Sequence, residues 1–250
     1  MEPDTDADAD VLIVGGGVAG LTAGTFTARA GLETLVVTAG ESILRRNAHL
    51  ENYPGFPAGV DSRLFVDMTR AQAERAGCGF VDGEVTQVTH ANGNEEGFEV
   101  ATAGGDVHRA ARVIAASWSD SSYLESLDVD LDRRGSKQYI GIDDEGRTAV
   151  EGLYAAGRIA RRYHQAVIAA GHGAEVALTL IHDSDLHFYN DWVVPEGYFT
   201  DRGREVPPGC EEIDAEERER RAAESREAMR EWFAEPHGDE PTPHPSLVEE

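Results

Sequence analysis

The sequence of 250 residues predicts an α/β fold, in which a parallel sheet with helices on both faces carries a small antiparallel meander and a partly helical C-terminal extension. The apolar run at residues 11–14 leads directly into a glycine-rich turn and an alanine-rich helix, which is typical of the first strand–turn–helix unit of such a sheet. Between residues 79 and 113, short apolar stretches alternate with Gly- and Asn-rich turns, which indicates the meander.

The elements follow from hydrophobic period and from breaker residues. The first part of the chain is predicted to contain an acidic tail at 1–8, a strand at 11–14, a helix at 19–30, a strand at Thr34–Thr38, a loop at 45–60 and a helix at Ser62–Ala76. The middle part is predicted to contain meander strands at 80–81, 85–88, 98–102 and 107, a buried strand at 112–116, an irregular polar segment at 117–141, and strands at 139–143 and 152–157. The last part is predicted to contain an apolar helix at 166–181, a Pro- and Gly-rich aromatic segment at 192–210, a charged helix at 214–233 capped by Asp214, and a loose tail.

Composition narrows the functional classes. The formal net charge is −25, and Lys137 is the one lysine of the chain. So acidic a chain argues against binding to nucleic acid or to an anionic membrane, and it predicts adaptation to a very salty cytoplasm. Because the sequence has no apolar run of about 18 residues and no signal peptide, we expect a soluble, cytoplasmic protein.

The cysteines and histidines argue against two kinds of site. Cys78 and Cys210 are the only cysteines and lie far apart, so a disulfide framework and a cysteine zinc site are excluded. The nine histidines have no ligand spacing such as H-E-x-x-H, and we expect no metal. Cys78 has glycine on both sides and no adjacent base, which favours a small buried side chain over a nucleophile.

The glycine-rich turn carries the strongest functional signal. Gly15, Gly17 and Gly20 have the spacing G-x-G-x-x-G, directly after a buried strand and at the start of a helix. In that context the first glycine permits the tight turn, the second lets the backbone approach a pyrophosphate, and the third lets the helix pack closely. The sequence therefore predicts a Rossmann-like domain that binds a dinucleotide.

Four stretches, in order, carry a resemblance to a family. They are residues 11–24, the loop E-N-Y-P-G-F-P at 51–57, the strand A-R-V-I-A-A-S at 111–117, and residues 148–174, which contain L-Y-A-A-G and H-Q-A. Together residues 9–181 resemble the flavin domain of the thioredoxin-reductase-like flavoproteins. The resemblance implies an FAD-binding domain at 9–182 and an extension at 183–250.

The resemblance also implies a site. It places the 51–57 loop near the flavin and brings Gln165 and Ala166 to the isoalloxazine ring, which makes His164 a weak candidate for an acid–base group. The expected cofactor-binding residues are Gly15, Gly17, Val18, Ala19, Gly20, Thr38, Asn52, Ala116, Gly157, Arg158, Gln165 and Ala166.

The chain departs from this family in several ways. Arg158 stands where the family has an aspartate, and Arg161 and Arg162 follow it. Arg158 either contacts the pyrophosphate or an anionic substrate, or these arginines form a solvated patch. Thr38 ends its strand without the usual acidic residue, and the arginines at 45 and 46 indicate either a 2′-phosphate, hence NADP, or ordinary family variation.

The nicotinamide-binding domain of the family has no counterpart here. About 35 residues separate Ser117 from Gly152, too few for a second βαβ unit, and no C-x-x-C pair exists. The leading hypothesis is an FAD-dependent oxidoreductase that is not a conventional thioredoxin reductase and takes electrons from free NAD(P)H or from a partner protein. The alternatives are a non-catalytic dinucleotide-binding module and an NADP-binding protein without flavin. A homodimer remains open, and the aromatics Trp192, Tyr198 and Phe199 are expected to cover the flavin.

Overall fold

The computed structural model describes residues 8–91, 97–118, 120–135, 137–186 and 189–244. Of the acidic tail predicted at 1–8, only Asp8 lies inside these ranges. Its backbone N–H donates to the Arg109 carbonyl at 3.0 Å, and its carboxylate accepts from the Arg109 backbone N–H at the same distance. Asp8 therefore extends the edge of the sheet, so the predicted tail is one residue too long.

The central sheet contains seven strands within the described ranges. They are β1 (Ala9–Val14), β2 (Thr34–Thr38), β3 (Gly79–Asp82), β4 (Val85–His90), β5 (Phe98–Thr102), β6 (Val107–Ala115) and β9 (Leu153–Ala155). Their order is β3-β2-β1-β6-β5-β4, and β9 also pairs with β6. The pairs among β3, β2, β1, β6 and β9 are parallel, whereas β4, β5 and β6 form the antiparallel meander.

Two strand predictions need correction. The separate strands predicted at 107 and 112–116 are one strand, β6, whose first half pairs with β5 and whose last three residues pair with β9. The stretch at 80–81, predicted as part of the meander, belongs to β3 and lies parallel to β2. A helix connects β2 to β3, and parallel neighbouring strands require a long crossover of this kind.

Three helices pack on one face of the sheet. They are α1 (Val18–Arg29), α2 (Ser62–Ala76) and α3 (Ala166–His182). The interface between this face and the helices buries Ile13, Leu21, Val36, Ala73 and Leu180. Glycine permits the close approach of α1 and α3, because a Cβ at Gly173 would lie 2.2 Å from the Ala19 carbonyl oxygen.

The opposite face is covered by a 3-10 helix at Ser122–Leu124 and a hairpin of β7 (Leu131–Arg134) and β8 (Lys137–Ile140), and side chains of the meander belong to the same apolar cluster. The irregular segment predicted at 117–141 therefore contains regular structure. Leu124 and Ile140 are buried on the sheet, so their apolar side chains explain why this polar stretch folds. The strand predicted at 139–143 begins and ends earlier, as β8.

The C-terminal extension contains a parallel pair, β10 (Trp192–Pro195) and β11 (Cys210–Ile213), followed by α4 (Ala215–Trp232). The helix prediction is confirmed, as is its cap, because the Asp214 carboxylate accepts from the Glu217 backbone N–H at 2.7 Å. On α4, Glu217 pairs with Arg221 at 2.6 Å and with Arg220 at 2.7 Å.

The end of the extension returns to the main domain. Trp232 packs into an apolar cluster with the loop before α2, and the ring centroids of Phe233 and Phe56 lie 6.4 Å apart. Further on, His237 contacts Asp67 at 2.9 Å, and the Thr242 hydroxyl donates to Glu41 at 2.6 Å. The predicted loose tail is therefore wrong for residues 235–244, and residues 245–250 lie outside the described ranges.

Candidate cofactor site

A cavity of about 580 Å³ lies at the carboxyl ends of β1, β2 and β6. β1 lies between β2 and β6, so the chain crosses to opposite sides of β1, and open α/β sheets bind their ligands at such a switch point. The lining extends across the sheet edge from the loop after β2 to the loop after β9. The volume is in the range of small-molecule and cofactor sites.

The glycine turn forms the floor of this cavity. Gly15 has φ of 117°, and a Cβ there would lie 2.7 Å from the Ala116 carbonyl oxygen, so a side chain is excluded. Gly20 is needed for packing, since its Cβ would lie 1.9 Å from the Gly15 carbonyl oxygen. At Gly17 the nearest atom to such a Cβ is the Ser42 Oγ at 4.0 Å. Gly17 therefore leaves open space on the cavity side.

Two helix N-termini meet the cavity lining. The helix α1 begins after Gly17 and has no side-chain cap and no acidic residue in its first turn. The helix α3 begins after Gln165, also without a side-chain cap. Uncapped N–H groups and the positive ends of the helix dipoles favour an anionic ligand.

The 51–57 loop adjoins the start of α3. Asn52 donates through its side-chain amide to the Gln165 Oε1 at 2.8 Å. The loop is anchored by aromatic packing, since the ring centroids of Tyr53 and Phe65 lie 4.6 Å apart, and by the bridge between Leu50 and Val60. The side chain of Gln165 is thus held where the cavity meets this loop.

Arg158 lies at the same end of the cavity and is fixed by protein partners. Its guanidinium donates to the Tyr139 hydroxyl at 2.8 Å and to the Arg162 carbonyl at 3.1 Å, and it lies 5.9 Å from the Trp118 ring centroid. Its Nε is buried and has no hydrogen-bond partner among the described residues. A buried, unpaired donor on a cavity-lining cation favours an anionic ligand nearby.

His164 also contacts Trp118, with ring centroids 4.6 Å apart. Burial, together with the positive charges of Arg158 and Lys137, lowers the pKa of His164 below its ordinary value. The imidazole is therefore neutral at pH 7 and can accept a proton or a hydrogen bond, which is compatible with the acid–base role considered for it.

Gly157 positions the loop that carries Arg158. Its backbone N–H donates to the Nδ1 of His172 at 2.9 Å, and its φ of 74° is one that glycine adopts readily. Burial lowers the pKa of His172 to about 4, with a further contribution from Arg162, so the ring stays neutral and accepts this bond. A Cβ at Gly157 would lie 2.7 Å from the Ala19 Cβ, which keeps the loop close to α1.

Most of the sequence-predicted residues line the cavity: Gly15, Gly17, Val18, Ala19, Thr38, Ala116, Arg158, His164, Gln165 and Ala166. Gly20, Asn52 and Gly157 are absent from the lining, but Gly20 and Gly157 allow close packing next to it and Asn52 bonds to Gln165. Sequence reasoning missed Glu41, Trp118, Tyr163 and the segment 83–86, which also line it. The position of 83–86 follows from β3, because a parallel strand ends at the same sheet edge as β1 and β2.

The two arginines after β2, Arg45 and Arg46, have different surroundings. Arg45 pairs with Asp67, whereas Arg46 lines the cavity. The acidic residue missing at Thr38 has a counterpart three positions further on, since Glu41 also lines the cavity. A carboxylate in this position disfavours a 2′-phosphate and suits ribose hydroxyls.

Neither cysteine lines the cavity. Cys78 is buried against α1, where a Cβ at Gly24 would lie 3.0 Å from its Sγ, and burial raises the pKa of its thiol to about 11. Cys210 lies on β11, where its thiol donates to the Asn190 carbonyl at 3.6 Å. Both environments disfavour a reactive thiolate in the cavity.

The aromatic cover expected over the flavin is wrong. Trp192, Tyr198 and Phe199 are absent from the cavity lining. Asp191, next to Trp192, pairs with Arg29 at 2.6 Å, at the end of α1 far from the glycine turn. A 12-residue helix rises about 18 Å, and this length separates the β10 segment from the cavity.

Two kinds of feature are absent from the described residues. No helix in them is long and apolar enough to cross a membrane. No group of three or more His, Cys, Asp or Glu side chains in them is arranged to hold a metal ion.

Comparison with known families gives two matches. Residues 10–48 match the model of an FAD binding domain, and residues 67–173 match that of the pyridine nucleotide-disulphide oxidoreductases. The first covers β1, the glycine turn, α1 and β2, and the second covers the remaining strands that border the cavity. These matches support FAD as the cofactor, and the open space at Gly17 and the uncapped N-terminus of α1 are compatible with its pyrophosphate.

Curated relatives carry the name thioredoxin reductase. The protein from Streptomyces coelicolor is 40% identical over 119 residues, which is 46% of this chain and 36% of that protein. The one from Aquifex aeolicus is 38% identical over 110 residues, 43% of this chain and 33% of that protein. The matched region thus spans about a third of the length of these relatives.

Solved structures share the fold. The thioredoxin reductase of T. acidophilum aligns with a TM-score of 0.64 at 17% identity, covering 70% of this chain and 98% of that one. An oxidoreductase from Agrobacterium tumefaciens aligns with a TM-score of 0.63 at 18% identity, covering 72% of this chain and 99% of that one. Together with the sequence matches, these findings show that the chain is similar to thioredoxin-reductase-like, FAD-dependent oxidoreductases and shares their fold.

Proposed function

We propose that this chain is a flavin-dependent oxidoreductase that does not act as a conventional thioredoxin reductase and receives electrons from free NAD(P)H or from a partner protein. One observation carries the proposal. Between the end of β6 and the start of β9 the described chain forms a short 3-10 helix and the β7–β8 hairpin, and this connection has no room for a nicotinamide-binding domain.

The cysteines support the same proposal. Reduction of a disulfide through a protein dithiol needs an attacking thiolate and a resolving thiol beside it. Cys78 is buried beneath α1 with a raised pKa, and Cys210 lies on a different element in the C-terminal extension. This chain therefore has no redox pair of its own to pass electrons from a flavin to a disulfide.

The lining residues have distinct roles toward FAD. Backbone N–H groups after Gly17 would bind the pyrophosphate, the loop with Glu41 would face the adenosine, and Gln165 with Ala166 would face the ring. FAD, when bound, supplies two-electron redox chemistry that no side chain here provides. The N-terminus of α3 favours negative charge near the ring, and Arg158 adds a fixed positive charge at the same end of the cavity.

For reduction of the flavin, an electron donor must also be able to reach the end of the cavity that would hold the ring. The side chain of Tyr163, on the lining, is 81% exposed, and the neighbouring Val167 and Ile168 on α3 are also exposed. The cover expected from the C-terminal aromatics is absent, as described above. An electron donor in solution can therefore approach this end without a domain movement.

An anaerobic assay on the FAD-reconstituted chain tests the proposal. NADH and NADPH are added separately, with thioredoxin disulfide present, and flavin absorbance and thiol production are followed. We expect no sustained thiol production, while chemical reduction by dithionite bleaches the flavin fully. Steady thioredoxin reduction would overturn the proposal. A bound flavin that neither nucleotides nor redox proteins reduce would instead favour the non-catalytic module.

A further inference from the structure

A cluster of basic side chains borders the ring end of the cavity. Residues 131–140 and 157–165 hold six of the 22 basic residues and one acidic residue, in a chain of net charge −25. We call the six the basic patch: Arg133, Arg134, Lys137, Arg158, Arg161 and Arg162. They come together because β8 packs on the loop after β9, where the Ile140 N–H donates to the Ile159 carbonyl at 2.9 Å.

The patch keeps most of its charge. Asp132 is its one acidic residue, and it pairs with both Arg134 at 3.0 Å and Arg161 at 3.1 Å. Within the described ranges Lys137 and Arg162 have no ion-pair partner. The charge of Lys137 reaches the cavity lining, since it contributes to the lowered pKa of His164.

Exposed apolar side chains lie beside these charges. Tyr163 follows Arg162 directly and is 81% exposed, and Trp118, Val167 and Ile168 are each more than a third exposed. Aromatic and aliphatic side chains with arginine around them are the composition of a protein interface, whereas the outward-facing charges of a hairpin form no cleft for a small anion.

We propose that the basic patch and these apolar side chains dock an acidic redox protein, which exchanges electrons with the flavin. The inference rests on the proposed function and names the donor class for it. The very acidic rest of the chain repels such a partner, so attraction by the basic patch would set its orientation. Two molecules of the reduced one-electron partner dock in turn, each is oxidised by one electron, and the two protons that complete reduction of the flavin come from water.

Charge reversal at the hairpin tip tests the docking. In the double variant Arg134→Glu with Lys137→Glu, neither of the replaced side chains lines the cavity. The matched control, Arg226→Glu with Arg230→Glu, makes the same charge change on the exposed face of α4. The probe is a reduced acidic plant-type ferredoxin, whose [2Fe–2S] cluster is a low-potential one-electron donor.

Stopped-flow reduction of the FAD-loaded full chain is measured between about 0.1 and 1 M salt, which shortens the screening length from about 10 to 3 Å. We expect the ferredoxin rate of wild type to fall about tenfold with salt, and the hairpin variant at low salt to be about tenfold slower than the control variant. Dithionite should reduce the flavin equally in all three proteins.

The outcomes distinguish failure of the docking proposal from failure of the proposed function. Equal ferredoxin rates in the two variants, or a wild-type rate that rises with salt, would overturn the docking proposal. If reduction by NADPH instead is lost in the hairpin variant, the patch serves a small anionic donor and the protein partner is wrong. A chain that dithionite cannot bleach, because no flavin is retained, would contradict the proposed function itself.

Discussion

Replacement of Gly17 by valine separates cofactor binding from folding. The backbone at Gly17 has φ of −81° and ψ of −179°, which any residue adopts, and the nearest atom to an added Cβ is 4.0 Å away. The folded apo-protein therefore accommodates the side chain, at a cost within about 1 kcal/mol for the poorer helix N-cap. The valine methyls, however, occupy the space in which the pyrophosphate approaches the first turn of α1.

The magnitude follows from the bonds lost. We expect the pyrophosphate to lose about two hydrogen bonds from backbone N–H groups. Each bond to a charged group contributes about 1.5–3 kcal/mol, so the loss in binding free energy is about 3–6 kcal/mol. That weakens FAD binding by a factor of at least about 100. Gly171→Val is the matched control, since Gly171 lies on α3 with no atom within 4 Å of an added Cβ.

Titration of the apo-proteins with FAD, followed by flavin fluorescence, measures the loss, and urea unfolding followed by circular dichroism checks the fold. Wild-type affinity in Gly17→Val would refute the placement of the pyrophosphate on this turn. Equal weakening in the Gly171→Val control would also refute it, because the effect would then not be local.

Further substitutions test other parts of the site. Arg158→Ala should weaken FAD binding by about 1.5–3 kcal/mol, whereas Arg161→Ala, an exposed residue, should cost less than about 1 kcal/mol in the same titration; equal small losses would assign Arg158 to the solvated patch. The double variant Cys78→Ser with Cys210→Ser should keep the rate of flavin reduction within a few-fold in stopped flow, and a loss of several hundred-fold would show a thiol role. Trp232→Ala should lower the free energy of unfolding by about 2 kcal/mol in urea, from about 100 Å² of lost apolar burial, and an unchanged midpoint would show that the α4 contact contributes nothing.

Local signals in the sequence account for the elements that could be predicted. The strand–turn–helix at residues 11–24 was predictable because Gly15 and Gly20 stand where the local fold leaves no space for a side chain. The helix at Ser62–Ala76 was predictable because its apolar residues have helical spacing. The charged helix after Asp214 follows from the same kind of local signal. These features depend on neighbours within a few positions.

Features that depend on contacts between distant residues could not be predicted from the sequence. The hairpin at 131–140 reads as polar and irregular, since its stability comes from Ile140 packing on a sheet formed by other segments. The tail at 235–244 has the prolines and charges of a loose segment, yet its His237 and Thr242 find partners on α2 and in the loop after β2. Arg158 could be singled out as unusual, but its partner Tyr139 could not be identified without the fold.

The most direct test of the account is the absorption spectrum of the purified full chain after incubation with FAD and removal of the free cofactor. We predict that the two bands of oxidised protein-bound flavin persist, in a one-to-one ratio with protein, and that anaerobic reduction by dithionite bleaches them reversibly. A folded chain that emerges colourless from the same treatment would contradict the assignment of the cavity to FAD, and with it the proposed function.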